Sequence, residues 1–182
     1  GQSRAAYDEL AERFIIVTRE WDLPAGESHL LLAVSDDADP QGDWEMHRFN
    51  MEQAEKYFFE SAGLGWDADG IYVTGVMRKW YGYEVHHSRM LTFDKATLLD
   101  GDAETLSYSD VDLSGSFDLL QPAAMHGADP GEPMYFVYGS PHGQQGSHVS
   151  VARMTDKLVP APKLAHFNIN VPNYDPPPSA IQ

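Results

Sequence analysis

Two acidic loops hold the densest chemistry in the chain. Asp67-Ala68-Asp69-Gly70 sets two carboxylates two residues apart ahead of a glycine. Hard cations such as calcium take clustered oxygens of this kind. The acidic ligand at the far end of a calcium loop is missing, with Thr74 and Val76 nearby in place of Glu. The same residues also read as an Asx turn leading into a strand. The expectation is that any bound metal is calcium at Asp67 and Asp69, completed by backbone carbonyls and water. The second loop, Asp36-Asp37-Ala38-Asp39-Pro40, reads as a solvated connection between strands.

The other reactive residue types give weaker patterns. His86 and His87 are adjacent, so on a regular strand their rings point to opposite faces and cannot chelate one ion. His126, His142 and His148 flank Gly-rich stretches and would have to meet at one end of the fold to make a zinc site. Gly139-Ser140-Pro141-His142-Gly143 puts Ser beside His, but no strand-turn-helix context follows, and Gly-Ser-Pro makes a turn. Asp8, Asp67 and Glu84 are the acids near strand starts that a glycosidase could use as its carboxylate pair. Asp8 and Asp67 recur at matching places in consecutive units, whereas Gln121-Pro122 takes that place in the third. That recurrence favours a structural role in turns. Trp21, Trp44, Trp66 and Trp80, with Tyr81 and Tyr83, are candidates for stacking on sugars or for core packing. No catalytic residue is assigned, and turnover of ester, peptide or phosphate substrates is not expected.

The elements that must position these residues are short strands. Arg13–Thr18, His29–Ser35, Trp44–Phe49, Gly70–Thr74, Ser88–Phe93, Met134–Tyr138 and Ser147–Ala152 are rich in β-branched and aromatic residues and bounded by Gly, Pro and Asp. Helical signals are confined to one turn at Lys95–Leu99 before Gly101 and a stretch from Glu52 to Phe59. Ile15, Tyr72 and Tyr135 hold equivalent places at spacings of 57 and 63, and Ser28, Ser88 and Ser147 open the following strands at spacings of 60 and 59. All-β units repeating at such a period predict the four-stranded blades of a β-propeller. A β-sandwich is the alternative. The expected fold is a single partial propeller over 1–182, with blades at 4–60, 61–117 and 118–172. A Pro-rich linker at 173–182 would lead to a further blade.

Composition narrows the partners. The formal charge of −16 on 182 residues repels phosphate backbones and anionic lipid, so neither nucleic acid nor membrane insertion is expected. The chain has no Cys, which removes disulfides, thiolate nucleophiles and Cys-ligated metals. Gly1-Gln2-Ser3-Arg4 has no signal-peptide pattern.

An ordered set of motifs resembles a family of large bacterial secreted propeller proteins. The set comprises Tyr7-Asp8 before Arg13-Phe14, Leu32-Ala33-Val34-Ser35 with Asp39-Pro40-Gln41-Gly42-Asp43-Trp44, and Leu64-Gly65-Trp66-Asp67 with Gly70-Ile71-Tyr72-Val73-Thr74. It continues through Phe93-Asp94-Lys95-Ala96 with Leu98-Leu99, Leu120-Gln121-Pro122-Ala123, Val171-Pro172, Tyr174, Pro177-Pro178 and Gln182. The resemblance implies further blades on both sides, a secreted or cell-surface setting and no catalytic signature to carry over. The expected role is a non-catalytic extracellular binding or assembly module, part of a larger protein or complex. A fragment of a propeller glycoside hydrolase is the alternative. The expected partners are a protein or glycan and the remaining blades, in the same or a partner chain.

Overall fold

The computed structural model describes residues 3–52, 57–101, 106–113, 120–139 and 146–175. They form three four-stranded antiparallel sheets in sequence order. The first holds β1 (Arg4–Asp8), β2 (Arg13–Asp22), β3 (Glu27–Ser35) and β4 (Trp44–Asn50). The second holds β5 (Tyr57–Trp66), β6 (Gly70–Lys79), β7 (Val85–Asp94) and β8 (Tyr108–Leu113), with the one-turn helix α1 (Lys95–Leu98) between its last two strands. The third holds β9 (Gln121–Pro122), β10 (Met134–Tyr138), β11 (Gly146–Thr155) and β12 (Lys163–Tyr174). Each sheet is a meander in which neighbours in sequence pair. The fold is all-β, an open run of three blade-like sheets, as in a partial propeller.

The first strands of the second and third sheets meet at the inner edge. Trp66 and Ala124 form a parallel bridge, with Trp66 N–H donating to the Ala123 carbonyl at 3.2 Å and Met125 N–H to the Trp66 carbonyl at 2.8 Å. Glycine is required at position 65, where a Cβ would overlap the Ala123 carbonyl oxygen and Pro122. The fourth strands lie outermost, and β12 is mostly exposed.

Side chains alternate between the two faces of each sheet, and each joint has its own apolar core. Ile15, Val17, Leu30, Leu32 and Val34 of the first sheet pack with Ile71, Val73, Leu91 and Phe93 of the second. Tyr72, Met90 and Leu113 of the second pack with Met134, Phe136, Ala152 and Met154 of the third. The hydroxyl of Ser28 also crosses the first joint, accepting from Phe59 N–H at 3.0 Å.

Several expected boundaries move. The division at 60/61 falls inside β5, because Glu60-Ser61-Ala62-Gly63 is a bulge within a strand and not a turn between blades. Ser61 there adopts φ 60°, the left-handed backbone that a bulge accommodates. The Glu52–Phe59 stretch is not a helix over its described part, since Tyr57, Phe58 and Phe59 pair in β5 with Lys79, Arg78 and Met77. Aromatic residues favour that half-buried pleat. Asn173 and Tyr174, expected in a linker, belong to β12, and 176–182 lie outside the described residues. The turn at Lys95 forms as expected, with the Asp94 carboxylate accepting from Ala96 N–H.

Candidate functional site

The acids singled out by their recurrence sit at the two joints, each with a lysine from the following sheet. Asp8 ends β1 and is 0% exposed. Its Oδ1 accepts from Leu10 N–H at 3.0 Å and Ala11 N–H at 3.3 Å. Its Oδ2 lies 2.5 Å from Lys95 Nζ, an ion pair whose angles fall outside hydrogen-bond geometry. Lys95 Nζ also donates to the Asp67 carbonyl oxygen, which ties the two joints together.

Asp67, directly after β5, repeats the design with more partners. Its Oδ1 accepts from Asp69 N–H and Gly70 N–H, both at 2.9 Å, and its Oδ2 from the Tyr72 hydroxyl at 2.9 Å. Lys157 Nζ lies 2.5 Å from Asp67 Oδ2 and 2.7 Å from Asp69 Oδ2, and Gly131 N–H donates to Asp69 Oδ2 at 2.7 Å. Burial pushes the Tyr72 phenol far up, and the neighbouring Asp67 pushes it further, so Tyr72 stays a neutral donor. Burial also acts to raise the Asp69 carboxyl. The hydrogen bonds from Lys157 and Gly131 and the charges of Lys157 and Lys95 outweigh it and hold the group below the usual carboxylate range.

This geometry revises the calcium expectation. Calcium takes about six to eight oxygen ligands. Both oxygens of Asp67 and one of Asp69 are already bound to N–H, O–H and ammonium donors. Lys157 stands where the cation was expected, and an ion would have to displace it. Among the described residues, no group of three or more His, Asp or Glu is placed to hold a metal. The same engagement leaves neither Asp8 nor Asp67 a free acid or nucleophile. Glu84 pairs with Lys79 at 2.8 Å on the surface.

The other candidates separate. His86 and His87 do not point apart: their Nδ1 atoms lie 2.8 Å from each other. The pairing slips from Met77↔His87 to Arg78↔Val85, leaving His86 as the extra residue of a bulge that turns the rings together. His126 is exposed, pairs with Glu9 at 2.6 Å and stands edge-on to Trp66. His148 lies near the start of β11, the end opposite Lys157. It therefore does not meet His126, and Ser140 and His142 lie outside the described residues. Asp37 and Asp39 close successive Asx turns onto Asp39 and Gln41 N–H, as a solvated loop would. Beside that loop, a cavity of about 280 Å³ is lined by Arg13, Asp43, Trp44 and Asp100. Trp66 and Trp80 are buried, and the Trp80 ring stacks on Phe58 at 4.6 Å, so its face is not open to a sugar.

Sequence reasoning missed the lysines, although a signal existed. Asp94-Lys95 and Asp156-Lys157 repeat at a spacing of 62, and Asp36-Asp37 occupies that place in the first unit. The third-sheet counterpart of Asp8 and Asp67 was also misplaced. Ala6 pairs with Ile15 and Gly65 with Tyr72, each two residues before its Asp. Ala123 N–H bonds to the Tyr135 carbonyl in the same way, which puts the third slot at Met125 and not at Gln121-Pro122.

The remaining feature is the pair of outer sheet faces. Counting from Ile15, Tyr72 and Tyr135, the next position is Ile16, Val73 and Phe136. Val73 and Phe136 are 0% exposed inside joints, whereas Ile16 is 36% exposed on the first sheet's outer face. The position after that is Val17, Thr74 and Val137. Val17 and Thr74 are covered, and Val137 is 43% exposed on the third sheet's outer face. Tyr7 and Phe14 pair beside Ile16, and Val151 and Phe167 line up across strands with Val137. Both ends of the run therefore present joint-like apolar surface. Comparison of the chain with protein-family models, curated proteins and solved structures finds no match.

Proposed function

We propose that this chain is a non-catalytic binding and assembly module whose two outer sheet faces dock further propeller blades, in the same or a partner chain. The observation that carries the reading is the exposure of Ile16 and Val137 at register positions that are covered in both internal joints. Apolar side chains aligned across a sheet and left in water mark an interface. Two further features support it. The conspicuous carboxylates are committed to lysines that join sheets, which is structural chemistry. The acidic surface suits a protein or neutral ligand better than nucleic acid or anionic lipid. No helix is long and apolar enough to cross a membrane among the described residues. The secreted setting follows from the family resemblance.

The test is binding of a fluorescent apolar dye at high dilution, where single chains predominate. The dye should bind, and Ile16→Glu and Val137→Glu should each lower the signal while leaving the unfolding transition in place. Dye binding indifferent to both substitutions would refute the assignment of these faces.

A further inference from the structure

We infer that His86 and His87 form a two-imidazole chelate for a divalent transition metal of tetragonal geometry, copper(II) foremost. The site stands near the β6–β7 hairpin and does not depend on what docks at the outer faces. Three observations carry it.

A bulge creates the chelate. Neighbouring residues on a regular strand point to opposite faces. Here the pairing passes from Met77↔His87 to Arg78↔Val85, which leaves His86 as the extra residue. The two Nδ1 atoms come to stand 2.8 Å apart, with the ring planes at 82° to each other. The His87 side chain is 11% exposed, whereas His86 lies open to solvent and gives an ion its approach.

Both rings are held from their far sides. His87 Nε2 lies 3.1 Å from Asp112 Oδ1. A carboxylate accepts, so the proton of the neutral His87 ring sits on Nε2 and its Nδ1 carries a lone pair. The same carboxylate–imidazole arrangement orients metal-bound histidines. The His86 ring lies against Tyr57, with centroids 4.5 Å apart. His86 Nδ1 then supplies the proton shared between the two nitrogens, and a metal ion takes that proton's place. The proton moves to His86 Nε2 through solvent, so both imidazoles stay neutral and no net proton is released.

The separation selects the metal. With metal–imidazole bonds of about 2.0–2.1 Å, nitrogens 2.8 Å apart subtend about 85–90° at the ion. That angle suits neighbouring ligands in a square-planar or octahedral complex. Tetrahedral zinc needs nitrogens about 3.3 Å apart. Copper(II) and nickel(II) take tetragonal sites of nitrogen and oxygen, and copper(II) binds most tightly of the first-row divalent ions. Water completes the coordination. The Asp112 carboxylate and the net charge of −16 draw a dication to this surface.

The experiment is calorimetric titration of the purified chain with copper(II), in glycine buffer that competes away weak sites. His86→Gln, His87→Gln and Asp112→Asn are titrated alongside, with thermal unfolding recorded for each. Pulsed electron paramagnetic resonance of the copper-loaded unmodified chain counts the imidazoles on the ion, and it decides the matter where a histidine variant fails to fold. One tight site with two imidazoles is expected. Each histidine variant should lose that site, and Asp112→Asn should keep it with affinity lowered roughly tenfold or more. Nickel(II) should bind more tightly than zinc(II). Tight copper binding that survives in His86→Gln or His87→Gln, or a copper centre with fewer than two imidazoles, would overturn the chelate. Unchanged affinity in Asp112→Asn would overturn the role given to that carboxylate, and zinc(II) binding more tightly than nickel(II) would overturn the tetragonal geometry.

Discussion

The joint between the second and third sheets and the outer face of the third sheet are built from the same register positions. In the joint, Tyr72 packs with Met134 and Phe136 and Thr74 is buried, whereas on the outer face Tyr135 is half-buried and Val137 is exposed. Burial in this molecule therefore follows from whether a neighbouring sheet is present. The joints also hold something that the bare faces lack, a buried carboxylate with its lysine. A buried ion pair recovers little net stability after desolvation, so its effect here is to make a mismatched neighbour costly. Apolar side chains supply the adhesion, and the Asp–Lys pair makes loss of either partner costly by leaving a buried charge unpaired.

The largest expected effect breaks the charged half of that contrast. Lys157→Met leaves Asp67 buried without its ammonium, and denaturant unfolding should show a loss of about 3–5 kcal/mol. Asp8→Asn keeps an oxygen for the Leu10 and Ala11 N–H groups but removes the charge facing Lys95. A loss of about 2 kcal/mol is expected by the same measurement. Acid should act on the second joint in a graded way. The Asp69 carboxyl is held below its ordinary value, so its contribution is complete above about pH 4 and is lost as pH falls through the folded-state value. Urea midpoints followed from pH 7 to pH 3 should fall more shallowly in Asp69→Asn than in the unmodified chain. The smallest effect sharpens the apolar half: at high dilution, Val137→Glu should change the stability of the single chain by no more than about 0.5 kcal/mol. A loss as large as a core substitution would mean that Val137 is already covered within the chain.

Much of the fold was legible because the repeat is written in side-chain types. The equivalence of Ile15, Tyr72 and Tyr135 survives as identical strand pairing across the three sheets. Strand ends were less legible where a bulge imitates a turn, as at Ser61 and at His86, because a small or polar residue in a strand is read as a break. Asp8 and Asp67 could be found by recurrence, but their roles could not. A carboxylate pair beside a glycine looks the same whether its cation is calcium or an ammonium some ninety residues away, as Lys157 is from Asp67. The outer faces were invisible for a simpler reason. Residues such as Ile16 and Val137 have core chemistry, and only the arrangement of sheets shows that they stand exposed among the described residues.

The absence of Cys makes the central contrast directly measurable. A Val137→Cys chain carries a single thiol on the third sheet's outer face, and its rate of alkylation can be followed with Val17→Cys as the covered reference. The account predicts that Val137→Cys is labelled far faster than Val17→Cys in dilute solution, because the third sheet's outer face is bare whereas Val17 lies inside a joint. Labelling of Val137→Cys as slow as that of Val17→Cys would contradict it.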